Sequence, residues 1–285
     1  MFFKDKAMFF TSLITPIILL VLYSTFLAKV YRDSFRENLP MGFKLGDDLI
    51  NGIVSGQLIS SLLAVCCVTI AFCSNMLSVQ DKVSGARRDF LVSPVKRSTL
   101  AFSYYISTLV STMIICLIAV AVGALYIAKT GTALSVGDIA MLALDVFLLV
   151  MFGTALSSII NLFLNSQGQI SAVGTVVSAG YGFICGAYMP ISNFGSGLQK
   201  VLSFLPGTYG TSLLKNHALR GSFDKLQESG VPSKIVDDIK ATLDCTPKFS
   251  GKEVGEPTMF LILIGSIVLL LAIYIILSIF KKDKN

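Results

Sequence analysis

The chain has 285 residues, 54% hydrophobic and only 14% charged, with a mean hydropathy of +0.76. Soluble domains run at roughly 45–50% apolar and roughly 25% charged, so a single water-surrounded core is excluded. A formal charge of +6 with a pI of about 9.0 raises nucleic-acid binding, but the placement of the charges, below, explains the basicity without it.

A helix needs about 20 predominantly apolar residues to cross the hydrocarbon core of a bilayer. In chain order the first such run is Ala7–Ala28; it is long enough to span, and no small-residue cleavage site follows it, so it reads as a span and not as a signal peptide. The polar, charge-balanced segment Tyr31–Ile53 follows, a cap or partner contact without a chemical signature. Span two is Gly56–Val79, and after it Gln80–Thr99, QDKVSGARRDFLVSPVKRST, mixes charges with Val83, Phe90, Leu91 and Val95. That composition suits a short amphipathic helix with Phe90 and Leu91 as its apolar edge and Arg87, Arg88 and Asp89 facing water or a partner. A solvated connector whose lysines and arginines only anchor topology is the alternative.

Spans three and four are Leu100–Ala128 and Ile139–Leu164, and the latter holds Asp145, the one acid inside an apolar run. Intramembrane ionisable groups are costly and mark functional sites by default, so Asp145 is either a transport or proton-handling group or a structural acid that is hydrogen-bonded or faces water. Span five is Ile170–Met189, crowded with Ser171, Gly174, Ser178, Gly180, Gly182 and Gly186, which permits close helix contact. The long segment Pro190–Pro257 exceeds ordinary connections and reads as structured. In its first part Leu198, Val201, Leu202 and Leu205 recur at helical spacing before Pro206, as in a short helix at the membrane interface. In its second part Ile235, Ile239 and Leu243 form one helical stripe. Span six is Met259–Phe280.

Six spans place both termini on one side. Putting them inside gives the inner segments 10 Lys/Arg against 4 Asp/Glu, while the outer segments carry 13 against 12, so the positive-inside rule makes the termini cytoplasmic. The expected fold class is therefore all-α: a single polytopic membrane domain over residues 1–285, with 190–257 as an external segment within it.

Several chemistries are missing. No GxxxxGK[ST] phosphate loop, HExxH or GxSxG occurs, His217 is the only histidine and is read as external, and the six cysteines show neither disulfide nor metal-ligand spacing. The sequence offers no catalytic residue and no metal site.

Three separated stretches resemble the membrane subunit of type-2 ABC exporters. Lys4–Leu20, KDKAMFFTSLITPIILL, is similar to the family's first stretch: a basic–acidic pair, an apolar interfacial segment, then a proline early in span one. Gly85, Phe90, Leu91, Ser93, Pro94, Val95 and Arg97 resemble its acidic–Gly–Leu-Leu–Ser-Pro–Arg loop. Gly186, Pro190, Pro206, Tyr209 and Arg220 follow the order of its span-five exit and outer re-entrant segment. The chain departs from the pattern at Ala86-Arg87-Arg88, in a short leader before span one, and in a long Ser222–Glu256 stretch.

The resemblance implies an ATP-driven exporter permease in the plasma membrane of a bacterial cell, paired with a second permease, identical or related. Separate ABC ATPase subunits would bind ATP and Mg. It makes Asp81–Arg97 a coupling helix contacting the ATPase through Asp81, Arg87, Arg88, Phe90, Leu91, Pro94 and Arg97. It makes Leu198, Val201, Leu202, Leu205, Pro206 and Tyr209 an external gate. The rival readings are a secondary transporter or channel using Asp145, which would call for inverted repeats or several buried charges, and a membrane scaffold that moves nothing.

Overall fold

The computed structural model describes residues 46–87, 96–130, 134–249 and 251–280, together with parts of 17–33. Eight α-helices organise these residues: α1 Asp47–Ser84, α2 Arg97–Lys129, α3 Val136–Phe163, α4 Gln167–Ile184, α5 Ser196–Leu202, α6 Pro206–Glu228, α7 Ser233–Thr242 and α8 Glu256–Phe280. A two-residue antiparallel hairpin, β1 Lys248–Phe249 with β2 Lys252–Glu253, joins α7 to α8. The protein is an all-α polytopic membrane protein.

Four helices, α1, α2, α3 and α8, are long and apolar enough to cross a membrane. Each extends the corresponding apolar run at one or both ends, because helices continue into polar residues that a hydropathy window excludes. The 18-residue α4 begins three residues before the expected span five and stops at Ile184, short of Met189; Gly186 at φ +73° turns the chain there. Most of the expected first span lies outside the described residues. Its described part includes a π-helical turn, Tyr23–Leu27, whose Tyr23 hydroxyl donates to the Ala187 carbonyl at 3.3 Å.

The helix α1 is the centre of the bundle: 78% of its most apolar window is buried, against 17% for α8, whose apolar surface is left facing outward as a lipid-facing helix requires. Small residues let the neighbours approach. A Cβ at Gly153 of α3 would stand 3.0 Å from the Val68 Cα of α1, and one at Gly56 of α1 would stand 2.8 Å from the Ala218 carbonyl oxygen of α6. At the end of α1 opposite Asp47, side-chain amides tie it to α3. Asn75 Nδ2 donates to Ser157 Oγ and Ser158 Oγ at 2.9 and 2.8 Å, and Asn161 Nδ2 donates to the Asn75 carbonyl at 2.9 Å.

The external segment is more buried than its polar composition indicates. Residues 206–228 form a 23-residue helix wedged against α1, α3 and α8, with buried positions from Gly207 to Leu226. Its polar sequence concealed this, because those polar groups find partners inside the protein. Cys245, although it lies in a polar stretch of the sequence, is fully buried, and burial pushes its thiol up to about 12. The Ile235, Ile239, Leu243 stripe is present and packs with Leu219, Phe223, Leu226, Val231 and Val236 in a small second core that also holds Cys245.

Candidate functional site

The helix α6 carries the most unusual chemistry among the described residues. Pro206 starts it at a first-turn position where the missing N–H costs nothing, and its fixed φ suits the helix. From there Gly210 packs beneath Leu149 of α3, His217 meets Asp145, and Arg220 reaches Asp138 at 3.7 Å. Those α3 partners fall in reverse order, so the two helices run antiparallel. Asp145 lies about 14 Å along α3 from Val136 at 1.5 Å per residue, deep inside a span.

Asp145 and His217 are 0% and 1% exposed, and Asp145 Oδ2 sits 2.5 Å from His217 Nδ1. Asp145 Oδ1 and His217 Nε2 are buried with no hydrogen-bond partner of their own among the described residues. Lys215, two residues earlier, is also fully buried; its Nζ donates to the Gly186 carbonyl at 2.9 Å and lies 4.0 Å from Asp244 Oδ2. That carboxylate accepts a hydrogen bond from the Ile191 N–H. Burial pushes the Asp244 carboxyl up, against the opposing effects of Lys215 and this N–H. Thus α6 fastens the turn after α4 (Lys215 to Gly186), α3 (His217 to Asp145, Arg220 to Asp138) and the end of α7 (Lys215 to Asp244). His217, read from the sequence as external, is instead buried in the bundle against Asp145. Asp145 is a buried acid bonded to His217.

The expected gate residues are split by the fold. Leu202 and Tyr209 are buried at 4% and 2%, the Tyr209 hydroxyl donates to the Ser203 carbonyl at 2.6 Å, and Thr208 Oγ1 donates to the Leu202 carbonyl at 3.0 Å, which locks the α5–α6 corner around Pro206. Leu198, Val201 and Leu205 are exposed, with Phe204 beside them, as an apolar edge.

Of the expected coupling residues, Arg88, Phe90, Leu91 and Pro94 lie outside the described residues. Asp81 belongs to the last turn of α1, not to a separate helix, and its Oδ2 accepts from the Tyr104 hydroxyl of α2 at 2.8 Å. Gly85 ends α1 at φ +86°, a left-handed conformation that a side chain would strain; Arg87 follows it and Arg97 opens α2. The segment between α1 and α2 is residues 85–96, of which Ala86 and Arg87 are helical and 88–95 lie outside the described residues. Its flanks are fixed: Lys82 Nζ donates to the Leu164 carbonyl at 3.0 Å and to Asn165 Oδ1. Among the described residues no group of three or more His, Cys, Asp or Glu is placed to hold a metal ion.

The sequence model of the family described as ABC-2 family transporter protein matches residues 37–280, most of the chain. No curated protein matches it.

Proposed function

Because the chain belongs to the ABC-2 transporter family, we propose that it is the permease subunit of an ATP-driven exporter, building a substrate path with a second permease and drawing energy from separate ABC ATPase subunits. The observation that carries this reading is the family match across 37–280, which takes in α1–α8 and the 85–96 loop. The chain has no GxxxxGK[ST] phosphate loop, so ATP and Mg belong on the partner. In this reading Ala7–Ala28 and α4 complete six spans, both termini are cytoplasmic, the membrane is a bacterial plasma membrane, and residues 190–228 re-enter the bilayer from outside.

The coupling route is mechanical. A push on residues 85–96 acts on the end of α1, a helix of 38 residues and about 57 Å at 1.5 Å per residue. The other end of α1 packs on α6 through Gly56. Helix α6 is continuous with the α5–α6 corner that holds Leu202 and Tyr209. Rigid helices moving as bodies would carry closure of the ATPases to the gate formed by Leu198, Val201, Leu202, Leu205, Pro206 and Tyr209.

In this reading Phe90 and Leu91 anchor the ATPase, with Arg87, Arg88 and Arg97 at the rim. Phe90→Ala is expected to weaken docking by on the order of 2 kcal/mol, roughly thirtyfold. Arg88→Glu should cost less and respond more to salt. Pull-down of the ATPase with its substrate-stimulated hydrolysis is the readout. Unchanged association and stimulation in both Phe90→Ala and Leu91→Ala, with normal insertion, would return the loop to a charged connector.

Sidedness has its own test. In a background with all six cysteines replaced, Ser84→Cys should react with an impermeant thiol reagent only from the cytoplasmic side and Ser229→Cys only from outside. Both positions are exposed, whereas Ser222 is buried and unsuitable. Labelling of Ser84→Cys in intact cells would overturn the topology.

The buried Asp145–His217 and Lys215–Asp244 pairs favour one other reading, an ion- or proton-coupled transporter, since several buried charges are what that class requires. Transport that persists with the ATPase absent would select it.

A further inference from the structure

A cavity of about 320 Å³ opens between the turn after α4, α5, the start of α6, the end of α7 and β1. Its size matches small-molecule sites, which combine a concave wall with a few placed polar groups. Ile191, Ala241 and Pro247 supply apolar wall, and the rest is hydroxyls, one amide, the Asp244 carboxylate and Lys248.

The hydrogen-bond inventory gives this lining a polarity. Ser203 Oγ donates to the Lys200 carbonyl at 2.8 Å, Thr208 Oγ1 to Leu202, Tyr209 OH to Ser203, and Thr242 Oγ1 to the Asp238 carbonyl at 2.8 Å. Both amide hydrogens of Gln199 are spent as well, on the Ser192 and Phe194 carbonyls at 3.0 and 2.7 Å. Each hydroxyl has one hydrogen to give and two lone pairs to accept with, so these five side chains offer the cavity acceptors only. Asp244 adds a carboxylate. It is also the only non-glycine residue with positive φ among the described residues, at +59°, a conformation that the Ile191 N–H and Lys215 hold in place. The remaining donors of the lining are the Ser192 and Thr246 hydroxyls and Lys248, which is at the exposed lip and engages Glu253 at 3.8 Å.

A lining with more acceptors than donors favours ligands that bring hydrogens. We propose that this cavity is a binding site for a small protonated amine, whose ammonium hydrogens would be taken by the Ser203, Thr242 and Gln199 oxygens and by the Asp244 carboxylate. The assignment depends on cavity geometry alone and holds whether or not the chain works with an ATPase.

The test uses the full chain purified in detergent and three water-soluble probes of equal length: 1,5-diaminopentane, 1,5-pentanediol and glutarate. Calorimetric titration should show saturable binding of the diamine, about tenfold or more weaker binding of the diol, as expected when charge-assisted hydrogen bonds are lost, and no binding of glutarate. Ala241→Phe, which places a ring in the cavity, should abolish diamine binding while leaving the unfolding temperature unchanged. Thr242→Val removes one acceptor at nearly constant shape and should weaken the diamine more than the diol, which keeps the test decisive if the larger substitution perturbs folding. Equal binding of the three probes, no diamine binding up to about 10 mM, the weak end of specific affinity, or undiminished binding in both variants would overturn the assignment.

Discussion

Asp145→Leu should cost the protein on the order of 3–5 kcal/mol, the usual consequence of removing one member of a buried pair and leaving the other without its partner. Asp145 and His217 are 0% and 1% exposed, and each makes its recorded side-chain bond to the other. With Asp145 gone, His217 Nδ1 joins His217 Nε2 as a buried polar atom lacking a partner among the described residues. His217→Leu should cost as much from the other side. The double replacement Asp145→Leu with His217→Leu should recover most of the loss, because two apolar side chains meeting across α3 and α6 leave nothing unpaired. Thermal unfolding in detergent can be followed through the thiols, since Cys66, Cys67, Cys116, Cys185 and Cys245 are buried until the fold opens. The single variants should melt on the order of 10 °C lower than the parent and the double variant close to it. A double variant as unstable as either single one would mean that the pair does not hold α6 in place.

The second large effect is steric. A Cβ at Gly56 would meet Leu219 Cδ2 at 2.7 Å and the Ala218 carbonyl oxygen at 2.8 Å, and the second of these is backbone that cannot rotate away. Gly56→Val therefore has to push α6 off α1, where overpacking ordinarily costs about 1–3 kcal/mol and more when backbone must shift. Gly265→Val on α8 is the matched control: the site is exposed, with nothing within 4 Å of the added carbon, so it should stay within about 0.5 kcal/mol. If α1 carries motion to α6, Gly56→Val should also uncouple export from ATP hydrolysis at temperatures where it remains folded. Equal melting of Gly56→Val and Gly265→Val would show that the close approach is not required.

The comparison of α8 with α6 explains what the sequence could and could not disclose. Met259–Phe280 is a continuous apolar run facing lipid, so composition alone marks it, and the same signal locates α1, α2 and α3. Helix α6 has Lys215, His217 and Arg220 among Leu213, Leu214, Ala218 and Leu219, and its composition alone does not mark it as part of the bundle. It is buried because Asp145, Asp138, Asp244 and the Gly186 carbonyl receive those side chains, and these partners lie 29 to 82 residues away in the chain. No local pattern encodes such pairings. One half of the site was nevertheless visible: Asp145 stands out as the single acid inside an apolar run, and a buried acid calls for a donor from elsewhere in the chain. The only histidine was the first candidate to try. Asp81 erred in the opposite direction, since the apolar run ends at Val79 and Asp81 was placed at the start of a separate coupling helix, whereas Tyr104 of α2 takes up its carboxylate and α1 continues through it to Ser84.

The central claim is that this permease is driven by ATP hydrolysed on a separate chain. The most direct measurement is purification of the tagged chain in mild detergent together with its ATPase, followed by ATP hydrolysis and ATP-dependent transport after reconstitution into liposomes. The account predicts that the ATPase is retained, that the chain alone hydrolyses no ATP, and that cargo moves only when ATP and Mg are supplied to the complex. Retention of no ATPase, together with transport by the chain alone under an ion gradient, would contradict it.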